Sequence, residues 1–168
     1  MLYFAYGSNM RAEQMAWRCP MARPLGIASL EDYAFLINKQ GAASIKPQKQ
    51  SHVQGILWRC TKNCITILDR HEGVAKGHYR RKIIRVCHDG KYHNSLVYIA
   101  QNQRHSYAPA RGYLSDFVIK GGREFGLDEA YLENLSDWQG SHILKKGRKR
   151  PLVKLSQYYQ NYYKIPPV

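Results

Sequence analysis

The stretch YFAYGSNM, residues 3–10, begins as an apolar run that predicts a strand and is interrupted by Gly7, Ser8 and Asn9 almost at the start of the chain. The apolar and aromatic residues 2–6 predict a buried strand. The Gly-Ser-Asn step at residues 7–9 predicts a tight turn, with Asn9 as the N-cap of a short helix over about 10–18. Such a turn points backbone N–H groups outward at the positive end of a helix dipole, where an anion can bind. It indicates either a ligand-binding wall or a turn that only caps a helix.

Strands and helices follow one another irregularly along the rest of the chain. A helix is expected to end at Gly121 and Gly122, after a Pro- and Tyr-containing loop, and another to begin with Asp128 as its cap. Because regular βαβ alternation is absent, the pattern favours a mixed α+β fold or a small barrel. Extended segments are expected at 25–30, 33–38, 42–46 and 53–60, with a polar loop before the last of them.

Capping residues mark one helix and one hairpin in the middle of the chain. Thr61 can cap a helix that runs to about His71, and Gly73 occupies the position that ends helices. Asp89 and Gly90 supply the positive-φ dipeptide of a two-residue turn between two long strands.

The composition is that of an ordinary globular domain. The chain has 168 residues, of which 44% are hydrophobic and 23% charged. No stretch approaches the roughly 20 apolar residues of a membrane span, and the N-terminus lacks the pattern of a secretory signal. We therefore expect one cytoplasmic domain over residues 1–144, with no membrane partner, followed by a C-terminal extension over 145–168.

The extension is basic and rich in tyrosine. It holds seven of the 26 Lys and Arg residues, so half of the net charge of +14 comes from it. Interleaved aromatic and cationic side chains can stack on single-stranded bases, so a non-catalytic module that binds nucleic acid is an alternative function. The bland interpretation is that the basic run is solvated and the tyrosines, residues 158, 159, 162 and 163, pack against the domain or a partner subunit.

The usual signatures of metal and cofactor sites are missing. Cys60 and Cys64, with Cys87 and His88, lack the paired C-x-x-C spacing of a zinc site. The sequence also lacks a P-loop and the G-x-G-x-x-G, H-E-x-x-H and G-x-S-x-G motifs. No metal and no cofactor are therefore expected.

A second stretch, LDRHEGV at residues 68–74, places Glu72 at the last turn of a predicted helix. The carbonyl end of the helix dipole repels a carboxylate there, and Asp69 adds a like charge on the same face. Both effects raise the pKa of Glu72, as a group that takes and returns a proton requires. The alternative is an exposed acid at a helix end.

Taken together, these stretches resemble the γ-glutamylcyclotransferase family, with its AIG2-like and BtrG-like relatives. The resemblance spans about residues 2–136, and the combination of Y-G-S-N with a downstream E-G-V at a helix end is specific. It is carried, in order, by YFAYGSNM, LDRHEGV, the GHY of 77–79, Tyr113 and GGREFGLDEAYLENL from residue 121.

The resemblance implies a small mixed β-barrel with flanking helices, and a cavity for a γ-glutamyl group. It implies that Glu72 is the catalytic acid and base. Substrate-binding residues would be Tyr3, Phe4, Ala5, Tyr6, Gly7, Ser8, Asn9, Tyr79 and Tyr113.

The implied reaction is internal to the substrate. Its α-amine attacks its own γ-carbonyl, which closes 5-oxoproline and expels an amine or amino acid, so positioning and proton transfer are the enzyme's task. A related alternative keeps this chemistry but takes a γ-glutamylamine or a γ-glutamyl cap on a biosynthetic intermediate. The expected partner is a small γ-glutamyl substrate, and the protein is expected to be a monomer or a homodimer.

Overall fold

A computed structural model describes residues 1–101 and 107–144 of the chain. In this part, strands close into a barrel in the order β1-β3-β2-β4-β5, with helices beside it. The predicted fold class is confirmed, while the extension at 145–168 lies outside the described residues. The strands are β1 (Leu2–Ala5), β2 (Arg23–Ile37), β3 (Ala43–Arg59), β4 (Tyr79–His88) and β5 (Lys91–Ala100).

Strand β1 closes the barrel. It pairs with β3 in antiparallel orientation along its length and with β5 in parallel orientation at Tyr3 and Leu96. Strand β1 is short and has neighbours on both sides. The Gly-Ser-Asn turn follows it at its carboxyl end.

Strands β2 and β3 form one long hairpin, and here the prediction of four separate segments is wrong. The pairing runs from Arg23 and Arg59 to Ile37 and Ala43, with an irregularity between Glu31 and Tyr33. At that irregularity Asp32 adopts a positive φ of 58°, and its carboxylate accepts a hydrogen bond of 3.0 Å from the Gln50 amide. Cross-strand pairing holds on both sides of residues 48–51, with Glu31 opposite His52 and Tyr33 opposite Pro47, so the chain continues as one strand where local composition indicates a loop.

The hairpin of β4 and β5 is confirmed. The turn residues Asp89 and Gly90 have φ angles of 49° and 71°, as a two-residue turn of this type requires. Register pairs extend from His88 and Lys91 at the turn to Tyr79 and Ala100 at the far end.

The described helices are α1 (Ala12–Arg18), α2 (Lys62–Glu72), α3 (Lys120–Glu124) and α4 (Glu129–Leu144). The Thr61 hydroxyl accepts a hydrogen bond from the Cys64 amide, and Gly73 ends α2 with a φ of 63°, so both predicted ends are confirmed. None of the helices in the described part is long and apolar enough to cross a bilayer.

The predicted capping role of Asn9 is wrong. Residues Ser8–Met10 form a 3₁₀ turn, and α1 begins only after Arg11, which makes no side-chain capping bond. The Asn9 side chain is instead buried and forms hydrogen bonds with residues of β1, α1 and α2.

The predicted helix end at Gly121 and Gly122 is also wrong. A π-helical turn, Tyr113–Ile119, runs directly into α3, and both glycines lie inside α3. A Cβ on Gly121 would lie 2.6 Å from the backbone nitrogen of Arg11, so this glycine allows close packing rather than a helix stop. The cap at Asp128 is confirmed, since its carboxylate accepts a 2.8 Å hydrogen bond from the Tyr131 amide.

The core joins the barrel interior to the inner faces of the helices. Among its fully buried side chains are Phe4, Ile56, Leu57, Leu68, Leu114 and Leu132. The carboxyl ends of β1 and α2 meet at this core, which brings the two sequence stretches singled out above to one place.

Candidate active site

A pocket of about 540 Å³, including the part open to solvent, lies where β1 and α2 end. Eight of the predicted site residues line it: Tyr3, Tyr6, Gly7, Ser8, Asn9, Glu72, Tyr79 and Tyr113. Sequence reasoning missed five more: Arg18, Ala42, Ala43, His71 and Tyr98.

Phe4 and Ala5 are not among the lining residues. A Cβ on Gly55 of β3 would lie 2.9 Å from the Phe4 ring and 2.3 Å from the Ala5 carbonyl oxygen. Successive side chains of a strand point to opposite faces, so Phe4 packs away from the side on which Tyr3 meets the pocket. The resemblance covers the whole segment, but the strand presents only part of it to the cavity.

Glu72 faces the turn that follows β1. Its Oε1 accepts a 3.1 Å hydrogen bond from Nδ2 of Asn9, which also donates to the Tyr3 hydroxyl at 2.9 Å. The Asn9 side-chain oxygen accepts from Gln14 at 3.0 Å and from Arg18 at 2.7 Å. Asn9 thus crosslinks β1, α1 and α2 across the pocket, which explains why it does not cap α1.

Burial raises the pKa of Glu72, while the positive charge of Arg18 and the hydrogen bond from Asn9 partly offset that rise. The predicted direction is therefore confirmed, but its main cause is desolvation. Asp69, expected to act as a neighbouring like charge, is bound instead by the Arg81 guanidinium, with Nε to Oδ1 at 2.6 Å.

The tyrosines beside Glu72 are held protonated. Burial, together with the charge of Glu72, raises the pKa of both Tyr3 and Tyr6 well above the ordinary value. They therefore remain neutral hydroxyl groups at physiological pH, and the Tyr6 hydroxyl donates to the Tyr98 carbonyl at 2.5 Å.

Backbone donors converge on the Tyr113 hydroxyl at the opposite wall. It accepts from the amide of Ser8 at 3.3 Å and from the amide of Ala43 at 3.1 Å. A Cβ on Gly7 would lie 3.0 Å from this hydroxyl and 3.1 Å from the Ala43 Cβ. Glycine is therefore needed at position 7 so that the turn can approach the Tyr113 hydroxyl closely. The Ser8 N–H group of the turn points at that hydroxyl oxygen.

Tyr79 is held in place by Asn38, a residue that the sequence did not single out. The Tyr79 hydroxyl donates to the Ala43 carbonyl at 2.8 Å and accepts from the Asn38 side chain at 2.7 Å. Asn38 is fully buried, and its oxygen accepts from the Ala42 amide at 3.1 Å. The only sequence signal was a polar residue directly after an apolar strand and shortly before Gly41.

His71, which the sequence did not single out as a site residue, also lines the pocket. Burial, with a smaller contribution from the charge of Arg18, lowers its pKa to about 4. It is therefore neutral at physiological pH, so the charge that faces Glu72 from the helices belongs to Arg18.

The site as a whole offers one proton acceptor, a set of hydroxyl donors and a pair of converging backbone amides. Among residues 1–101 and 107–144, no three His, Cys, Asp or Glu side chains are grouped so that they would hold a metal ion. The arrangement can position a polar substrate and move protons between two of its atoms.

Comparison with known proteins gives one consistent result. A model of the family described as "Gamma-glutamyl cyclotransferase, AIG2-like" matches residues 3–116. The chain is 30% identical to a γ-glutamylcyclotransferase of Mus musculus, over 89% of this chain and 90% of that protein. It is also 30% identical to a γ-glutamylcyclotransferase of Homo sapiens, over 90% and 91% of the two chains. A solved structure named γ-glutamyl cyclotransferase superimposes with a TM-score of 0.76 at 26% identity, covering 96% of each chain.

Proposed function

The chain belongs to the γ-glutamyl cyclotransferase, AIG2-like family and is an enzyme of that type, and we propose that Glu72 carries the proton transfers of its reaction. The substrate is a γ-glutamyl compound. Its α-amine attacks its own γ-carbonyl carbon, so one C–N bond forms, the bond to the leaving nitrogen breaks, and 5-oxoproline is released.

Proton balance defines the task of Glu72. The substrate enters with an α-ammonium group, and the products are a lactam with one N–H and a leaving amine that is protonated in water. Two protons therefore pass from the α-nitrogen to the leaving nitrogen. Glu72 takes each from the first and returns it to the second, so the carboxylate ends the cycle as it began.

The observation that carries this assignment is the position of Glu72 opposite the Gly-Ser-Asn turn, joined to it by Asn9 at 3.1 Å. A carboxylate of raised pKa in a largely dehydrated wall accepts a proton from an ammonium more readily than an ordinary exposed carboxylate does. Positioning the internal nucleophile supplies the larger share, about 7–11 kcal/mol of the barrier.

The opposite wall is proposed to hold the substrate's oxygens. The Ser8 and Ala43 amides, which here donate to the Tyr113 hydroxyl, are placed to bind the γ-carbonyl oxygen as it gains charge, or the substrate carboxylate. Tyr79 and Tyr113 would border the bound γ-glutamyl group, while Tyr3 and Tyr6 would supply protonated hydroxyls beside Glu72.

The test is release of 5-oxoproline, measured by mass spectrometry, from a panel of γ-glutamyl amino acids and γ-glutamylamines, γ-glutamyl-ε-lysine included. We expect turnover on at least one class of leaving group, and loss of that turnover in Glu72→Gln. Glu133→Gln, at an exposed position on α4, is the matched control and should retain activity. Turnover by Glu72→Gln near the wild-type rate would contradict the proposed role of Glu72.

We also propose that the enzyme acts in the cytoplasm, as one chain or as a homodimer. The four cysteines are free thiols, which suits a reducing compartment. Oxidised disulfides in the protein isolated from cells would argue against this location.

A further inference from the structure

Arg18 ends α1 and is almost fully buried, with 6% of its surface exposed, in the wall of the pocket. Its NH1 group donates a 2.7 Å hydrogen bond to the side-chain oxygen of Asn9. The nitrogen of the same amide donates to Oε1 of Glu72 at 3.1 Å. A chain of two hydrogen bonds thus leads from a guanidinium to the carboxylate.

The amide in the middle of this chain has one possible orientation. Its oxygen accepts from both Arg18 and Gln14, and its nitrogen faces two oxygens, those of Tyr3 and Glu72. A flipped amide would place donors against donors. Because a cation at the amide oxygen polarises the group, the opposite N–H becomes a stronger donor toward Glu72.

We propose that Arg18 is a positioning residue for catalysis, acting on Glu72 through the side-chain amide of Asn9. This inference rests on the proposed function of Glu72 and extends it to a residue on another helix. Arg18 orients the amide, and the amide holds the Glu72 carboxylate toward the substrate while the guanidinium favours its ionised form.

Within residues 1–101 and 107–144, no other titratable group around Glu72 duplicates this effect. Tyr3, Tyr6 and Tyr98 are neutral, since burial raises the pKa of each, and His71 is neutral above its pKa of about 4. The Arg81 guanidinium of β4 binds the Asp69 carboxylate, so its charge is directed there. The groups that face the pocket are Tyr3 and Tyr6 before the turn, Arg18 of α1, His71 of α2, Tyr79 of β4, Tyr98 of β5 and Tyr113.

The sign of the effect follows from charge. The guanidinium lowers the pKa of Glu72 and so opposes the rise caused by burial. Without it, Glu72 would bind its proton up to a higher pH. The active, ionised base would then form only at higher pH, and the acid limb of the pH–rate profile would move upward.

The experiment compares Arg18→Gln, Arg18→Lys and the control Arg70→Gln, at an exposed position on α2. We expect Arg18→Gln to lower kcat by on the order of ten- to a hundredfold, as for a misplaced catalytic group, and to shift the acid limb upward. Arg18→Lys keeps the charge and should retain the wild-type limb with part of the rate. Arg70→Gln should match the wild type in both. A uniform loss of rate with an unmoved limb would indicate a structural role and overturn the proposal.

A direct titration of Glu72 separates this proposal from the proposed function. Carbon-13 NMR of selectively labelled Glu72 reports its protonation without turnover, in the wild type and in Arg18→Gln. An upward shift supports the proposal even if Glu72→Gln remains active, in which case the catalytic assignment alone fails. An unshifted titration together with an inactive Glu72→Gln overturns only the role of Arg18.

The route through Asn9 has its own test. If Arg18 acts through the amide, Asn9→Ala and Arg18→Gln should change the Glu72 titration by less together than the sum of the two single shifts. Additive shifts would mean that the charge acts directly across the pocket, and the relay would be wrong.

Discussion

The last turns of α2 carry two carboxylates with contrasting surroundings. Asp69 accepts hydrogen bonds from the Arg81 guanidinium and from the Tyr98 hydroxyl, the latter at 2.8 Å, so its carboxylate is engaged by other side chains of the protein. Glu72, three residues later, has one hydrogen bond from Asn9 and faces a pocket. The same helix therefore holds one acid that is bound by two side chains and one that faces the pocket.

The difference shows that position on a helix does not decide what a carboxylate does. Both acids lie near the negative end of the α2 dipole, and the sequence predicted that the charge of Asp69 would raise the pKa of Glu72. The Asp69 carboxylate is in direct contact with a guanidinium, whereas burial is the largest cause of the raised pKa of Glu72.

Activity should depend on one acid only. Glu72→Asp withdraws the carboxylate from Asn9 and from the substrate by one methylene, so we expect kcat to fall by about 10²-fold or more. Asp69→Asn should remain within a few-fold of the wild type, because Asp69 does not line the pocket. Steady-state release of 5-oxoproline measures both variants, and equal losses would break the comparison.

The pH dependence of kcat/KM should report Glu72. Because burial raises its pKa, and because the base must be ionised, activity should fall with decreasing pH at a pH above the ordinary Glu value of about 4.3. Asp69→Asn should leave this limb in place. An acid limb at an ordinary carboxylate pH, or one that moves in Asp69→Asn, would contradict the assignment.

Stability should change in opposite directions at the two positions. Asp69→Asn removes the charged partner of a half-exposed Arg81 and should cost about 0.5–1 kcal/mol at pH 7. Glu72 has a raised pKa, so its ionisation costs folding free energy that is absent below its unfolded pKa and grows as pH rises through the folded one.

Glu72→Gln should therefore melt at a higher temperature than the wild type at pH 8 and at the same temperature below about pH 4. Scanning calorimetry across this range measures both variants. A Glu72→Gln protein that is less stable at pH 8 would show that the carboxylate contributes to the fold.

Tyr98 contacts Asp69 through its hydroxyl and also lines the pocket. Tyr98→Phe removes the hydroxyl that donates to Asp69, so we expect a loss of about 0.5–1.5 kcal/mol and nearly unchanged turnover. Its ring would still border the pocket. A large fall in kcat with little change in stability would mean that the Tyr98 hydroxyl acts on the reaction in the pocket and not only on Asp69.

Much of the candidate site was predictable because short motifs mark it. Glu72, the Gly-Ser-Asn turn, Tyr79 and Tyr113 all meet in the pocket, although they come from distant parts of the chain. Arg18 and Asn38 were not predictable, since each is a polar residue at the end of an ordinary apolar pattern, and His71 was not because it lies in a charged run typical of an exposed helix end. Nothing local distinguishes a buried arginine at a helix end from an exposed one.

Features formed by residues close together in the chain could be predicted from the sequence alone. These are the Thr61 and Asp128 caps, the Gly73 helix end and the Asp89-Gly90 turn. Two contacts of the site depend on the tertiary structure: Asn9 donates a hydrogen bond to Glu72 rather than capping a helix, and the Ser8 amide donates to the Tyr113 hydroxyl. These partners are 63 and 105 positions apart. Backbone groups and side chains bind whichever partner burial brings within reach, and over such separations the closed barrel, not the neighbouring residues, sets what that partner is.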